Sequence, residues 1–387
     1  MTRRSRRLLA AIAIVIALAG CDNVSGSGNS PSTSTGAPLA ANSVQVTVGP
    51  MSVCDSQNDY PNEPCTSVTV CLPGTTTCQT VSDILVDTGS FGLRLFSSVL
   101  SLPNVTPASG TGECSYFGSM TTWGPVTNLD VTIAQETTTQ SIPVQLIDPT
   151  FENQYDSSGN GVSGGDVCGS GSVAATPSSQ ELNGILGIGQ AVTDGQYYYD
   201  CSGGSCTQVY PQEVENPVAE MPVDNNGVVL SLPGIGSQGA PSVTGTLTLG
   251  IGTQSDNTPG SVTVYQAESS DSIGTTFNGT SYTGFLDSGT NDYAVPGTWS
   301  TCSGWFCPSS TQTATLGITS ASGQTGSYQI QIADANTLFA TNNAAFNNLG
   351  APNSEDDLGL PFFFGRTVYV GISGRSTSIG SGPFWAF

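Results

Sequence analysis

Two short stretches, 200 residues apart, constrain this chain more than anything else in it. "ILVDTGSFGLRLF" at 84–96 and "GFLDSGTNDYAVP" at 284–296 each run an apolar strand into Asp, Thr or Ser, Gly, and Ser or Thr, then return to apolar residues. An Asp leaving a buried strand cannot be buried deeply and alone, because desolvating a lone carboxylate is very costly. Gly89 or Gly289 permits a tight turn that folds the backbone back beneath the side chain. The flanking hydroxyls, Thr88 and Ser90 or Ser288 and Thr290, can donate hydrogen bonds that hold the carboxylate in one orientation. One copy says little in a chain this rich in Ser, Thr and Gly. Two copies imply a duplicated unit, hence two similar lobes, with a boundary near "LPGIGSQGAPS" at 232–242. If a pseudo-two-fold relates the lobes, Asp87 and Asp287 come together. Two close carboxylates cannot both ionise easily, so they share a proton, and one acts as base and the other as acid on a bound water.

The rest of the pattern is that of an all-β chain. Short runs such as "SVQVTVG", "TNLDVTIAQ", "GTLTLGIG" and "SYQIQIA" alternate apolar and polar residues and are punctuated by Gly, Pro, Asn and Ser. Helix is expected only at 212–222, "QEVENPVAEMP", and 335–349, "ANTLFATNNAAFNNL". Residues 152–180 read as a long polar loop.

Two absences narrow the chemistry. The chain has no histidine, which removes Ser-His-Asp and Cys-His catalysis and every His-bearing metal site. CxxC-type metal spacings are missing as well, so no metal is expected. Of 11 cysteines, all but Cys21 form an even set of ten in an exported chain, the pattern of five disulfides. Cys201 with Cys206 and Cys302 with Cys307 each enclose a tight polar loop and are the expected pairs.

The first residues are processing signals rather than fold. Arg3, Arg4, Arg6 and Arg7 precede the apolar "LLAAIAIVIALAG", and Leu18-Ala19-Gly20-Cys21 resembles the lipobox of bacterial lipoproteins. That resemblance implies a signal peptide over 1–20, cleavage before Cys21, and lipid on the Cys21 sulfur. The protein would then be exported and anchored on the periplasmic side of the envelope, touching membrane only through that lipid. Residues 21–44 are rich in Ser, Gly, Pro, Thr and Asn and read as a flexible tether. Without residues 1–20, three of the seven basic residues remain against 29 acidic ones, a formal charge of −26. Nucleic acid is therefore not an expected partner.

On these motifs the chain resembles the pepsin-like aspartic peptidases. It resembles more closely still an uncharacterised bacterial lipoprotein family bearing the same DTGS and DSGT motifs. The resemblance covers 45–387 and implies a bilobal all-β fold with a cleft between two pseudo-two-fold related lobes, an N-terminal one over 45–235 and a C-terminal one over 236–387. "YFGSMTTWGPVTNLDVTI", 116–133, looks like the flap hairpin, with Tyr116 as flap tyrosine. "NGILGIG" at 183–189 and "DDLGLPFFFGRTVYVGI" at 356–372 are similar to the segments that support the two Asp loops. By this resemblance Asp87 and Asp287 are the catalytic pair, and Ser90 and Thr290 hold their outer oxygens. Thr88 and Ser288 lock the loops together, Gly89 and Gly289 make the turns, and Tyr116 closes over substrate. The implied substrate is a polypeptide in extended conformation, and no metal or organic cofactor is needed.

Three departures accompany the resemblance. Arg94 stands where the family usually has a Trp supporting the flap tyrosine. Its cation would depress the pair's pKa values or favour acidic substrate side chains, or else its stem packs and its charge meets one of the many carboxylates. Asp357 stands where an apolar residue usually begins the second support segment. Residues 22–49 carry no Lys or Arg, so a basic inhibitory pro-segment is not expected. The expected function is an envelope aspartic endopeptidase; the alternative is a catalytically silent pepsin-fold binding or scaffold module.

Overall fold

Alternation decides many of the strands. In the hairpin of Gln312–Thr319 and Thr325–Ile332, Ala314, Leu316 and Ile318 are buried while Thr313, Thr315 and Thr319 face solvent. Strand Cys78–Asp87 departs from that pattern, because Asp83 to Asp87 are all buried. Ile84 and Val86 join one apolar cluster and Leu85, pointing the other way, joins another, and a strand covered on both faces no longer alternates. The computed structural model describes residues 38–387 except 51–53, 55–59, 104, 106–109, 119, 152–153, 156–160, 163–166, 170–171, 202–205 and 269–271. The expected signal peptide, the expected lipidation site Cys21 and the expected tether as far as residue 37 lie outside the described residues. The first strand, Ser43–Val48, begins two residues inside the expected end of the tether.

The same three-strand frame occurs twice. In the first half, Cys78–Asp87 leads through the Asp87 loop into Phe91–Phe96. Gly184–Ile188 then inserts between them, parallel to the former (Gly187 beside Asp87) and antiparallel to the latter. In the second half, Thr280–Leu286 leads through the Asp287 loop towards Tyr293–Val295. Asp356–Leu358 inserts between them, again parallel to the incoming strand and antiparallel to the outgoing one. Both late segments are thus threaded behind an Asp loop. Glycine is required where they pass: a Cβ on Gly187 would lie 2.6 Å from the Phe91 nitrogen, and one on Gly359 2.1 Å from the Asp292 carbonyl oxygen.

The halves are joined by backbone pairing. Ser43–Val48, from the beginning of the chain, pairs with Val243–Leu249, which pairs with Gly227–Leu232, which pairs with Arg366–Gly371. Sixteen strands form this continuous sheet, and seven others form the second half's own sheet. One apolar cluster runs from Val46, Leu93 and Leu186 to Leu286, Leu316, Phe362 and Val370, so Leu39–Phe387 is a single compact unit.

Helix is scarcer than the two expected segments suggest. Residues 212–222 contribute only a 3-10 turn, Pro217–Glu220, capped by the Asn216 side chain. Residues 335–349 contribute Ala335–Phe339, capped by Asp334, and Asn342 beyond it takes a left-handed φ of 57°. Asn and Thr side chains compete with the helical backbone for hydrogen bonds, which ends such segments early. Within 152–180, the described residues include a two-residue pairing of Gln154–Tyr155 with Gly161–Val162 and a capped turn, Pro177–Gln180. Disulfides join Cys54–Cys65, Cys71–Cys78, Cys114–Cys168, Cys201–Cys206 and Cys302–Cys307, so the two expected short loops close. Five disulfides fit an oxidising compartment. Among the described residues no helix is long and apolar enough to cross a membrane.

Candidate active site

The two Asp loops meet through a reciprocal lock. Thr88 Oγ1 donates to the Leu286 carbonyl at 2.9 Å and accepts from the Ser288 N–H at 2.9 Å. Ser288 Oγ donates to the Val86 carbonyl at 2.6 Å and accepts from the Thr88 N–H at 3.1 Å. Both hydroxyls are buried, and between them they bond four backbone groups across the interface. Each carboxylate is also held by its own turn. The Gly89 N–H donates to Asp87 Oδ1 at 2.8 Å and the Gly289 N–H to Asp287 Oδ1 at 2.7 Å. Ser90 Oγ donates to Asp87 Oδ2 at 2.5 Å, and Thr290 Oγ1 lies 3.0 Å from Asp287 Oδ2. The loops approach so closely that a Cβ on Gly89 would sit 2.4 Å from Asp287 Cγ, and one on Gly289 2.8 Å from Asp87 Cγ. The structure therefore brings Asp87, Thr88, Gly89, Ser90, Asp287, Ser288, Gly289 and Thr290 into one constellation. Burial, then the neighbouring Asp87 and Asp357 carboxylates, push the Asp287 carboxyl well above the ordinary range, against the pull of the Gly289 N–H. Two carboxyls in hydrogen-bonding reach hold one proton between them.

The pair opens into a cleft of about 530 Å³, lined on one side by Tyr116, Phe117, Gly118 and Met120. These belong to the turn region of a hairpin, Thr111–Tyr116 paired with Thr121–Ile133. Tyr116 is 41% exposed; its hydroxyl donates to the Cys168 carbonyl, and its ring meets Tyr197 edge-on at 5.7 Å. The Cys114–Cys168 disulfide fastens the same strand to the same neighbour.

Arg94 does not support Tyr116. It is 1% exposed beneath the hairpin, where Nη2 pairs with Glu113 at 2.6 Å and with Asp194, and Nε donates to Ser115 Oγ at 2.9 Å. Nη1 donates to the Phe91 carbonyl at 2.7 Å. Of the roles open to Arg94 in the sequence, the structure shows the charge-pairing one. Two carboxylates share this one cation, and burial together with Glu113 pushes Asp194 up to about 8 despite Arg94 and the Tyr198 hydroxyl.

The opposite wall is acidic. Asp292 and Asp357 are both buried and both line the cleft. Burial raises Asp292 to about 7, with the Ala351 N–H opposing. Burial raises Asp357 to about 8, which Thr290 opposes and Asp292 and Asp87 reinforce. Thr290 Oγ1 lies 2.8 Å from Asp357 Oδ2, so a third carboxyl is joined to the pair by one hydroxyl.

The sequence profile of a family described as "Protein of unknown function (DUF3443)" matches residues 38–387. The chain belongs to this family. No curated protein matches it in sequence. Among solved structures, the aspartic proteinase from Irpex lacteus is similar, with a TM-score of 0.51 and 18% identity, over 90% of this chain and 96% of that one. At that identity the likeness concerns the fold: this DUF3443 chain has the bilobal pepsin-like architecture. Sequence reasoning passed over Glu113, Asp194 and Asp292, which carry no local signal in a chain with 29 acidic residues. Asp357 did carry one, as an acid at an apolar position.

Proposed function

We propose that this DUF3443 protein is an exported, lipid-anchored aspartic endopeptidase acting on polypeptides in extended conformation. The reading is carried by one observation: the Thr88–Ser288 lock sets Asp87 and Asp287 together at the base of an open cleft, each with its own hydroxyl on the outer oxygen. A water between the carboxyls gives a proton to the ionised member as its oxygen bonds to the peptide carbonyl carbon. The protonated member hands its proton to the carbonyl oxygen, giving a neutral tetrahedral diol. Collapse of that diol breaks the C–N bond: the departing nitrogen takes up the proton held by the carboxyl that acted as base, and one diol hydroxyl gives its proton to the carboxylate that acted as acid as the C=O re-forms. The chain's own residues supply every proton transfer. The basic and apolar N-terminus with Cys21 supports the anchor, and the five disulfides support export.

The test is hydrolysis of an unfolded protein by the full chain in detergent, from about pH 3 to 7, where carboxyls titrate. Wild type is expected to cleave, Asp87→Ala to cleave nothing, and a statine-type inhibitor to block wild type. Absence of cleavage across that range sinks the reading, and equal cleavage by Asp87→Ala assigns the activity to a contaminant. A second reading, a module that grips peptide without hydrolysing it, is favoured by the flap: the Tyr116 hydroxyl is engaged with Cys168, and a disulfide staples its strand. That reading expects saturable peptide binding that Asp87→Ala does not weaken.

A further inference from the structure

Thr290 has one hydroxyl hydrogen and two carboxyl neighbours, Asp287 Oδ2 at 3.0 Å and Asp357 Oδ2 at 2.8 Å. A hydroxyl donates only once. Both contacts are hydrogen bonds only when one of the two carboxyls is protonated and donates to Oγ1. With both ionised, one carboxylate would face an oxygen lone pair inside the protein. The first lobe has no such arrangement: Ser90 donates to Asp87 alone, and Ile185 occupies the place equivalent to Asp357.

We propose that Asp357, acting through Thr290, stores a second proton beside the dyad and is the positioning residue that sets the alkaline limit of activity. The proposal rests on the peptidase reading above. The chain of bonds runs from the Asp357 O–H to Thr290 Oγ1, and from the Thr290 O–H to Asp287 Oδ2. When Asp287 has lost its proton to solvent between turnovers, a shift along this chain restores it. The Asp357 O–H bond breaks as a new Oγ1–H bond forms, and the old Oγ1–H bond breaks as Oδ2–H forms. Asp357 is left ionised and is reprotonated from solvent.

The groups facing Asp357 favour a stored proton. Asp292 and Asp87 raise it, Asp287 stands across Thr290, and Tyr60, which also lines the cleft, is neutral. Opposite it on the paired strand is Ala294, and the preceding Asp356 accepts from Thr275. Among the described residues no cation offsets them: Arg94 is engaged by Glu113 and Asp194, Arg366 lies over Phe362, and Arg375 donates to the Ala219 carbonyl.

Two measurements on the full chain in detergent test this. The first is the pH profile of kcat/KM on an unfolded, fluorophore-labelled protein, for wild type, Asp357→Leu and Asp357→Asn. Neither leucine nor asparagine can hold the stored proton or carry the negative charge that raises Asp287, while the Thr290 hydroxyl still donates to Asp287 in both. Both changes stabilise ionised Asp287, so the alkaline limb should move down by about one pH unit or more. The second is a carbon NMR titration of labelled aspartate carboxyls, assigned with Asp87→Asn and Asp287→Asn, which needs no turnover. The upper dyad titration should fall by a similar amount in both Asp357 variants. If wild type cleaves and the limb is unmoved in both variants, the inference is overturned and the peptidase reading stands. If nothing cleaves, the peptidase reading fails, and the titration alone decides the proton store, with unmoved dyad signals overturning it.

Discussion

The two lobes share a frame and exchange their charges. In the first, Ile185 on the inserted strand pairs with Arg94 on the outgoing strand; in the second, Asp357 pairs with Ala294. One frame therefore carries a buried cation at one position of the pair, and the other a buried acid at the opposite position. Their environments differ in kind. Arg94 is met by two carboxyl groups, a hydroxyl and a carbonyl, so its charge is compensated and fastens the Thr111–Tyr116 strand from beneath. Asp357 is buried and met by one hydroxyl and further acids, so burial and then those acids push its carboxyl up to about 8. A three-strand frame repeated in the two lobes can thus carry permanent charge in one half and a titratable group in the other.

Four experiments break or sharpen that comparison, and the dyad comes first. Asp287→Asn should lower cleavage by about 10²–10⁴-fold, as loss of a general acid or base does. Asp87→Asn should match it; survival of activity in either variant would make the lobes unequal at the site itself. Arg94→Met strands Glu113 and Asp194 without their cation, at a cost of about 3–5 kcal/mol. It should appear as a lower urea midpoint with disulfides intact, and an unchanged midpoint would show the ion pair to be dispensable. The lock should cost less. Thr88→Ala or Ser288→Ala removes two of four cross-lobe hydrogen bonds, about 1–3 kcal/mol each way, and the two losses should be equal if the pseudo-two-fold is energetically real.

The last effect concerns the dependence of stability on pH. Asp194, Asp292 and Asp357 have folded pKa values raised to about 8, 7 and 8. A raised pKa means that the folded state binds more protons than the unfolded one, so stability falls as pH rises between the unfolded and folded values. The midpoint should therefore be higher near pH 5 than near pH 8. Asp357→Leu should flatten that decline, which thermal or urea unfolding at the two pH values would measure. A midpoint that rises with pH would remove the buried neutral acids from the account.

The all-β fold and the Asp loops were legible because their signals are local. The motif repeats within a few residues of each strand end, and the glycines behind the loops, Gly187 and Gly359, sit in short apolar segments. The helical segments were legible only as candidates, since Asn- and Pro-bearing stretches shortened each to about one turn. The neighbours of Arg94 were not legible. Glu113 and Asp194 lie 19 and 100 residues away, among many acids that the pattern treats alike.

Sequence by itself determined the chemistry on offer: two Asp turns with hydroxyls, no imidazole anywhere, and an even set of ten cysteines besides Cys21. Those facts depend on residue identity and spacing within one turn or strand, where bonded geometry carries the information. Tertiary structure alone decided which charges met. Arg94 joined Glu113 and Asp194, Tyr116 joined Cys168, and Thr290 came to stand between Asp287 and Asp357. Electrostatic and hydrogen-bond partners act over a few ångströms of space, and the threading of one strand between two others sets those distances.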